Sequence, residues 1–176
     1  MNRFWVWLSR IGHSRGFGIQ SPNDYWFVQY VINERWPYYA YEEIGTDSDW
    51  LHRKQSRLYF RLANWRQPQT VVDADQLDCW KKGCRQTVVA THITDTDTLD
   101  LVRLKATTPD CDRQIEQVCA NANERTLLVV EDIWRNWALW RTVVNDNRTR
   151  VCFDLYYCGI VLFDKKRDKK CYIINF

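Results

Sequence analysis

At Gln69 the hydrophobic period of this chain changes, and that change limits its fold more than any other feature. Before it, apolar residues recur at helical spacing; after it, short β-branched runs alternate with helical stretches. The pattern predicts strands over 70–74, 86–92 and 126–131, with helices over 76–82, 95–105 and 110–123. Each strand run is apolar along its whole length, as in a sheet covered on both faces, which favours a mainly parallel α/β sheet. A further helix is expected over 133–144, carried by Ile133, Trp137, Trp140 and Val144. Strands over 149–156, 158–163 and 171–176 come next in quick succession. Their links are too short for a parallel return, so the C-terminal edge of the sheet should be antiparallel.

Upstream of Gln69 the chain reads as helical. Residues 2–10 suggest a small amphipathic helix, and 13–21 an irregular stretch loosened by Gly16 and Gly18. Ser21-Pro22 offers a cap and a first-turn proline. After it runs the stripe Tyr25, Trp26, Val28, Val31 and Ile32, ended by Trp36-Pro37. A second helix is expected over 47–66, with Asp47 or Ser48 as cap and Pro68 as terminator. The expected organisation is therefore a helical extension, residues 1–66, packed on an α/β core, residues 67–176, as one compact unit. Its 176 residues suit a single domain.

Composition excludes several classes. With 25 basic and 22 acidic side chains the net charge is +3, too balanced to imply nucleic acid. The run Lys165–Lys170 lies between two strands and reads as a solvated hairpin turn. The seven cysteines form no Cys-x-x-Cys pair, and three histidines (His13, His52, His92) give no metal-finger spacing. Cys119, Cys152, Cys158 and Cys171 read as small core residues, which with reduced thiols points to a cytoplasmic home. The apolar stretch of residues 4–8 is short for a secretory signal, and no stretch nears the roughly 20 apolar residues of a membrane span. The ten tryptophans and nine tyrosines read as core filler or as a ligand or partner surface.

The chemistry-bearing residues cluster at the ends of the expected strands, where open α/β sheets bind ligands. Asp73 and Asp75 end the first strand, and serve there either a ligand or an ordinary turn. Glu131-Asp132 ends another. Two carboxylates could give a divalent cation hard oxygen ligands, or Asp132 could cap the helix that begins at Ile133. The segment after Asp73 is unusual for a nucleotide site: Ala74-Asp75-Gln76-Leu77-Asp78-Cys79-Trp80-Lys81-Lys82-Gly83, with its first glycine too late for a tight strand-to-helix loop. Whether Trp80 fills the space beyond Asp73 is therefore a pivotal question. His13-Ser14 lacks a third member for a catalytic triad, and Tyr38-Tyr39-Ala40-Tyr41 reads as a packing seam or a pocket lining.

The order of elements resembles that of the class I S-adenosylmethionine-dependent methyltransferases. His13-Ser14-Arg15-Gly16-Phe17-Gly18-Ile19-Gln20-Ser21-Pro22 and Trp36-Pro37-Tyr38-Tyr39-Ala40-Tyr41 look like the N-terminal signature of a methyltransferase-like group from Bacteroidetes. Glu131-Asp132-Ile133-Trp134, Phe153-Asp154-Leu155-Tyr156, Gly159–Phe163 and Tyr172–Phe176 look like its C-terminal end. The resemblance implies a Rossmann-like sheet with a parallel core and antiparallel C-terminal strands. It implies an acid at Asp73, a glycine turn that this chain lacks, and an acid for the ribose, for which Asp95 has the right chemistry. It also implies a metal-holding role for Glu131 and Asp132. By comparison the segment from Asp73 to Asp132 is short, as if a central strand–helix unit were missing. The expectation is a catalytically degenerate methyltransferase-like domain with no cofactor, acting through protein contacts or an unrecognised ligand; a separate reading is a structural protein that forms a homodimer. The alternative is a working small-molecule methyltransferase that binds S-adenosylmethionine through Asp73 or Asp75 and Asp95. Neither nucleic acid nor membrane is expected as a partner.

Overall fold

The computed structural model describes residues 3–46, 49–96 and 98–176, the side chains of Ser14, Arg15 and Asp95 excepted. It is an α/β fold around one seven-stranded, mostly parallel sheet. The strands are β1 (Thr70–Asp73), β2 (Val88–Ala90), β3 (Leu101–Lys105), β4 (Leu127–Glu131), β5 (Val151–Asp154), β6 (Cys158–Leu162) and β7 (Lys170–Ile173). The helices are α1 (Arg3–Ser9), α2 (Pro22–Phe27), α3 (Trp50–Arg66), α4 (Cys79–Gly83), α5 (Cys111–Asn121) and α6 (Trp137–Asn145). Strand order is β2-β1-β3-β4-β6-β5-β7. The chain starts inside the sheet, steps outward to β2, then reverses to β3 on the other side of β1. That reversal is a topological switch point, with its crevice at the carboxyl ends of β1 and β3.

Alternation along the strands sorts the core into two layers. Val71, Leu101, Leu127, Val129, Phe153 and Ile160 face α3, α4 and the α2 region. Val72, Val102, Leu128, Val130, Cys152 and Val161 face α5 and α6. Leu58, Leu62 and Ala63 of α3 are fully buried in the first layer, so the N-terminal segment is an integral cover of the sheet. Two buried arginines pin it. Arg10 donates to the Asp154 carbonyl (2.9 Å) and carboxylate (2.8 Å) at the end of β5. Arg61 donates to the carbonyls of Val31 (2.6 Å) and Ile32 (2.8 Å), at the C-terminal end of the α2 region where a cation complements the helix dipole.

Several expectations change. Residues 95–105 were expected as a helix; instead Leu101–Lys105 is β3, near the centre of the sheet. Leu101 is buried in one core layer and Val102 and Leu104 in the other, as in a central strand covered on both faces. β1, β3 and β4 pair directly, so the missing unit expected at the centre leaves no gap there. β6 is antiparallel to both of its neighbours, as expected, but β7 crosses over β5 and pairs with it in parallel. The basic run 165–170 is therefore a crossover rather than a hairpin turn, and its Arg167 is not simply solvated. It pairs with the buried Asp24, which also accepts from the Tyr172 hydroxyl at 3.0 Å. Cys171 is exposed, unlike the other six cysteines, because it lies on the edge strand β7; all seven are free. Ser21 caps α2 as expected, accepting the Asp24 N–H, but the helical backbone ends as a π-turn at Ile32, short of Trp36. Asp47 and Ser48 lie outside the described residues; Asp49 caps α3 by accepting the His52 N–H at 2.8 Å. No helix among the described residues is long and apolar enough to cross a membrane.

Candidate functional site at the strand switch point

Strand parity delivers three ionised side chains to one place. Asp73, Arg103 and Glu131 each lie two residues beyond an apolar residue of the α3-facing layer: Val71, Leu101 and Val129. Asp73 and Arg103 are register partners across β1 and β3, and β4 brings Glu131 alongside Lys105. All therefore point toward α3 at the carboxyl end of the sheet.

Arg103 holds the cluster together. Its Nη1 lies 2.6 Å from Asp73 Oδ1 and 2.8 Å from Asp75 Oδ2, and its Nε donates to Glu131 Oε2 at 2.7 Å. Its Nη2 pairs with the same Glu131 oxygen. The side chain is 3% exposed and Asp73 fully buried, so these charges are compensated inside the protein rather than by water. Burial opposes the charged guanidinium, but Tyr59, Glu131 and Asp73 outweigh it and raise the Arg103 pKa. Arg103 is thus a fixed cation. Burial pushes Asp75 up, yet hydrogen bonds from Lys105 (2.6 Å) and Arg103 hold its carboxyl below the usual range. Tyr59 donates to Glu131 Oε2 at 2.9 Å, and burial keeps this hydroxyl protonated.

The loop after β1 closes on itself. Asp73 Oδ1 accepts the Asp75 N–H at 3.1 Å and Oδ2 the Leu77 N–H at 3.2 Å. Gln76 takes a left-handed conformation (φ 51°), and its N–H donates to the Asp73 carbonyl at 3.1 Å. Two amides that a glycine-rich turn would offer to a ligand are thus consumed by the strand's own terminal acid. Trp80 answers the question of space. It is fully buried, its Nε1 donates to Asp73 Oδ2 at 2.7 Å, and its ring stacks on Tyr59 with centroids 5.0 Å apart. Gly83 has a different task from ligand approach. A Cβ there would collide with the Phe60 carbonyl oxygen and lie 2.8 Å from Ala63 Cβ, so the glycine lets α4 lie close against α3 and seat Trp80.

Of the sequence-predicted site residues, the structure brings Asp73, Asp75 and Glu131 together around Arg103. Asp132 is not part of this group. It has a left-handed backbone (φ 62°), makes no side-chain cap, and lies 3.8 Å from Arg135 Nε. Among the described residues, no cluster of three His, Cys, Asp or Glu could hold a metal ion. The backbone of Asp95 lies in the short 3-10 turn Ile93–Asp95, and its side chain lies outside the described residues, as does that of Ser14. His13 is exposed, and its carbonyl accepts the Asn175 N–H at 3.1 Å. Tyr38 and Tyr41 pack edge-on against Phe60 while Tyr39 stands in solvent, so the aromatic run both packs and borders a groove. Sequence reasoning missed Arg103, Lys105 and Tyr59. The signal was a charge inside the apolar run Leu101-Val102-Arg103-Leu104, hidden by reading that run as a helix.

No protein-family model, curated protein or solved structure matches this chain.

Proposed function

We propose that this chain is a catalytically degenerate, methyltransferase-like α/β domain that acts by binding and not by methyl transfer. The observation that carries the reading is the occupation of the switch-point crevice by the protein's own groups. Asp73 is saturated by two backbone amides, the Trp80 indole and Arg103. A sulfonium nucleotide entering there would have to displace a buried tryptophan and break a buried ion cluster without replacing either. The residues that the resemblance assigns to S-adenosylmethionine therefore do not fit it: Asp73 has no exposed oxygen, and Asp75 is committed to Arg103 and Lys105. Glu131 is likewise engaged by Arg103 and Tyr59, which removes it from metal binding.

The test is a thermal titration with S-adenosylmethionine and its demethylated product. A ligand at about 100 times its Kd adds about 2.7 kcal/mol to the folded state, which for a chain of this size raises Tm by about 5–10 °C. The expected result is no shift at millimolar ligand. A shift of that size at micromolar ligand would instead favour a working methyltransferase with an atypical cofactor loop.

A further inference from the structure

The extension carries a second concavity that shares no lining residue with the crevice. It is a groove of about 1850 Å³, well beyond the roughly 300–1,000 Å³ of a metabolite pocket. One face of α3 lines it: Trp50, Arg53, Lys54 and Arg57 recur at i, i+3, i+4 and i+7, the three cations forming a rail about 6 Å long. Phe4 and Trp7 of α1 line it too, as do Trp36 and Tyr39 from the segment between α2 and α3.

Charge is concentrated here. Six of the 25 basic residues line the groove (Arg3, Arg35, Arg53, Lys54, Arg57, Arg61) against two of the 22 acidic ones (Glu34, Glu42), leaving 19 basic and 20 acidic elsewhere. The near-neutral total therefore hides a groove that holds all of the excess positive charge. Arg61 is engaged by backbone carbonyls and Tyr41. Arg3, Arg53, Lys54 and Arg57 have no acidic partner among the described residues. Lys54 is half-buried between the Phe176 ring (4.2 Å) and the Trp50 ring (5.2 Å), and Arg57 Nε is buried with no acceptor. The rings that border this rail are unusually bare: Tyr39 is 93% and Trp36 72% exposed, with Phe4 and Trp7 also exposed.

We infer that this groove binds single-stranded nucleic acid, its phosphates along the α3 cations and its bases on the flanking rings. A cationic track bordered by exposed aromatic faces is the arrangement that holds unpaired strands without reading their sequence. An extended acidic peptide is the poorer fit, because among the described residues no strand residue lines the groove to pair with its backbone. The proposal is independent of the crevice: it stands or falls whatever S-adenosylmethionine does.

The experiment is fluorescence polarisation of the full chain with labelled octathymidylate and octauridylate, beside a labelled octaglutamate peptide. Both oligonucleotides should bind, and the peptide at least about 10-fold more weakly, since it lacks bases to stack. Four phosphate contacts give a log–log salt slope of about −3, so binding should weaken about 50-fold between about 50 and 200 mM salt. The pair Arg53→Glu and Arg57→Glu should abolish binding. The pair Trp36→Ala and Tyr39→Ala should weaken it about 10-fold or more and leave the salt slope unchanged; both rings are exposed, so the fold tolerates their loss. No binding to either oligonucleotide, equal binding of the peptide, or indifference to the ring substitutions would overturn the assignment.

Discussion

Arg103→Met tests whether the crevice is held shut by an internal ion cluster. The substitution keeps an unbranched side chain of similar length and removes the only cation paired with Asp73 among the described residues. Removing one partner of a buried ion pair costs about 3–5 kcal/mol, because the other charge is left in a medium that solvates it poorly. Asp73 would keep three neutral donors, the amides of Asp75 and Leu77 and the Trp80 indole, and Glu131 would keep the Tyr59 hydroxyl. The loss should therefore fall at the low end, about 3 kcal/mol, or about 6–12 °C in Tm. Asp73→Asn alone should cost less, since Arg103 retains Asp75 and Glu131. The double variant should recover about 1–2 kcal/mol of the summed losses, as expected for residues in direct contact. Urea unfolding at neutral pH, with m compared across the four proteins, measures each corner. A fully stable Arg103→Met, or strictly additive losses, would mean that water rather than the guanidinium compensates Asp73, and the closed crevice would be wrong.

The packing and the charges give two further expected outcomes. Gly159→Ala drives a Cβ on β6 into the Trp140 ring, where the buried indole has no room to retreat; a loss of about 1–3 kcal/mol is expected in the same urea assay. Lys54 has its pKa pushed down to about 8, chiefly by burial and further by Arg61. The folded state thus binds this proton less tightly than the unfolded chain, and the wild type loses stability as pH falls from about 10.4 through 8. Lys54→Met should raise Tm by a few degrees near pH 7 and by nothing above about pH 10.5, as monitored by melting curves across that range.

The parts of the fold that were legible in sequence are those where one local period dominates. β1, β4 and β6 are apolar β-branched runs, and α5 and α6 carry clear helical stripes. β3 was misread because Arg103 and Lys105 interrupt its apolar run, giving it the mixed look of an amphipathic helix. Those same charges build the ion cluster, so the misreading and the missed residues have one cause: buried charges that break the pattern of their own strand. The placement of β7 was misjudged for another reason. Short links forbid a parallel return between sequence neighbours, but β7 reaches past β5, and parallel pairing between non-neighbours escapes that rule. Asp73, Asp75 and Glu131 could be picked out as acids at strand ends. Their partners could not, since Tyr59 and Arg103 come from elements distant in sequence.

The most direct measurement watches the crevice itself. In an amide and indole NMR spectrum of the labelled protein, the Trp80 indole N–H and the Asp75 and Leu77 amides report the three donors that Asp73 accepts. These resonances should stay unmoved as S-adenosylmethionine is added to millimolar concentration, with the indole proton slow to exchange with solvent. Saturable shifts of all three, with the indole proton becoming labile, would mean that the ligand enters where Trp80 now sits.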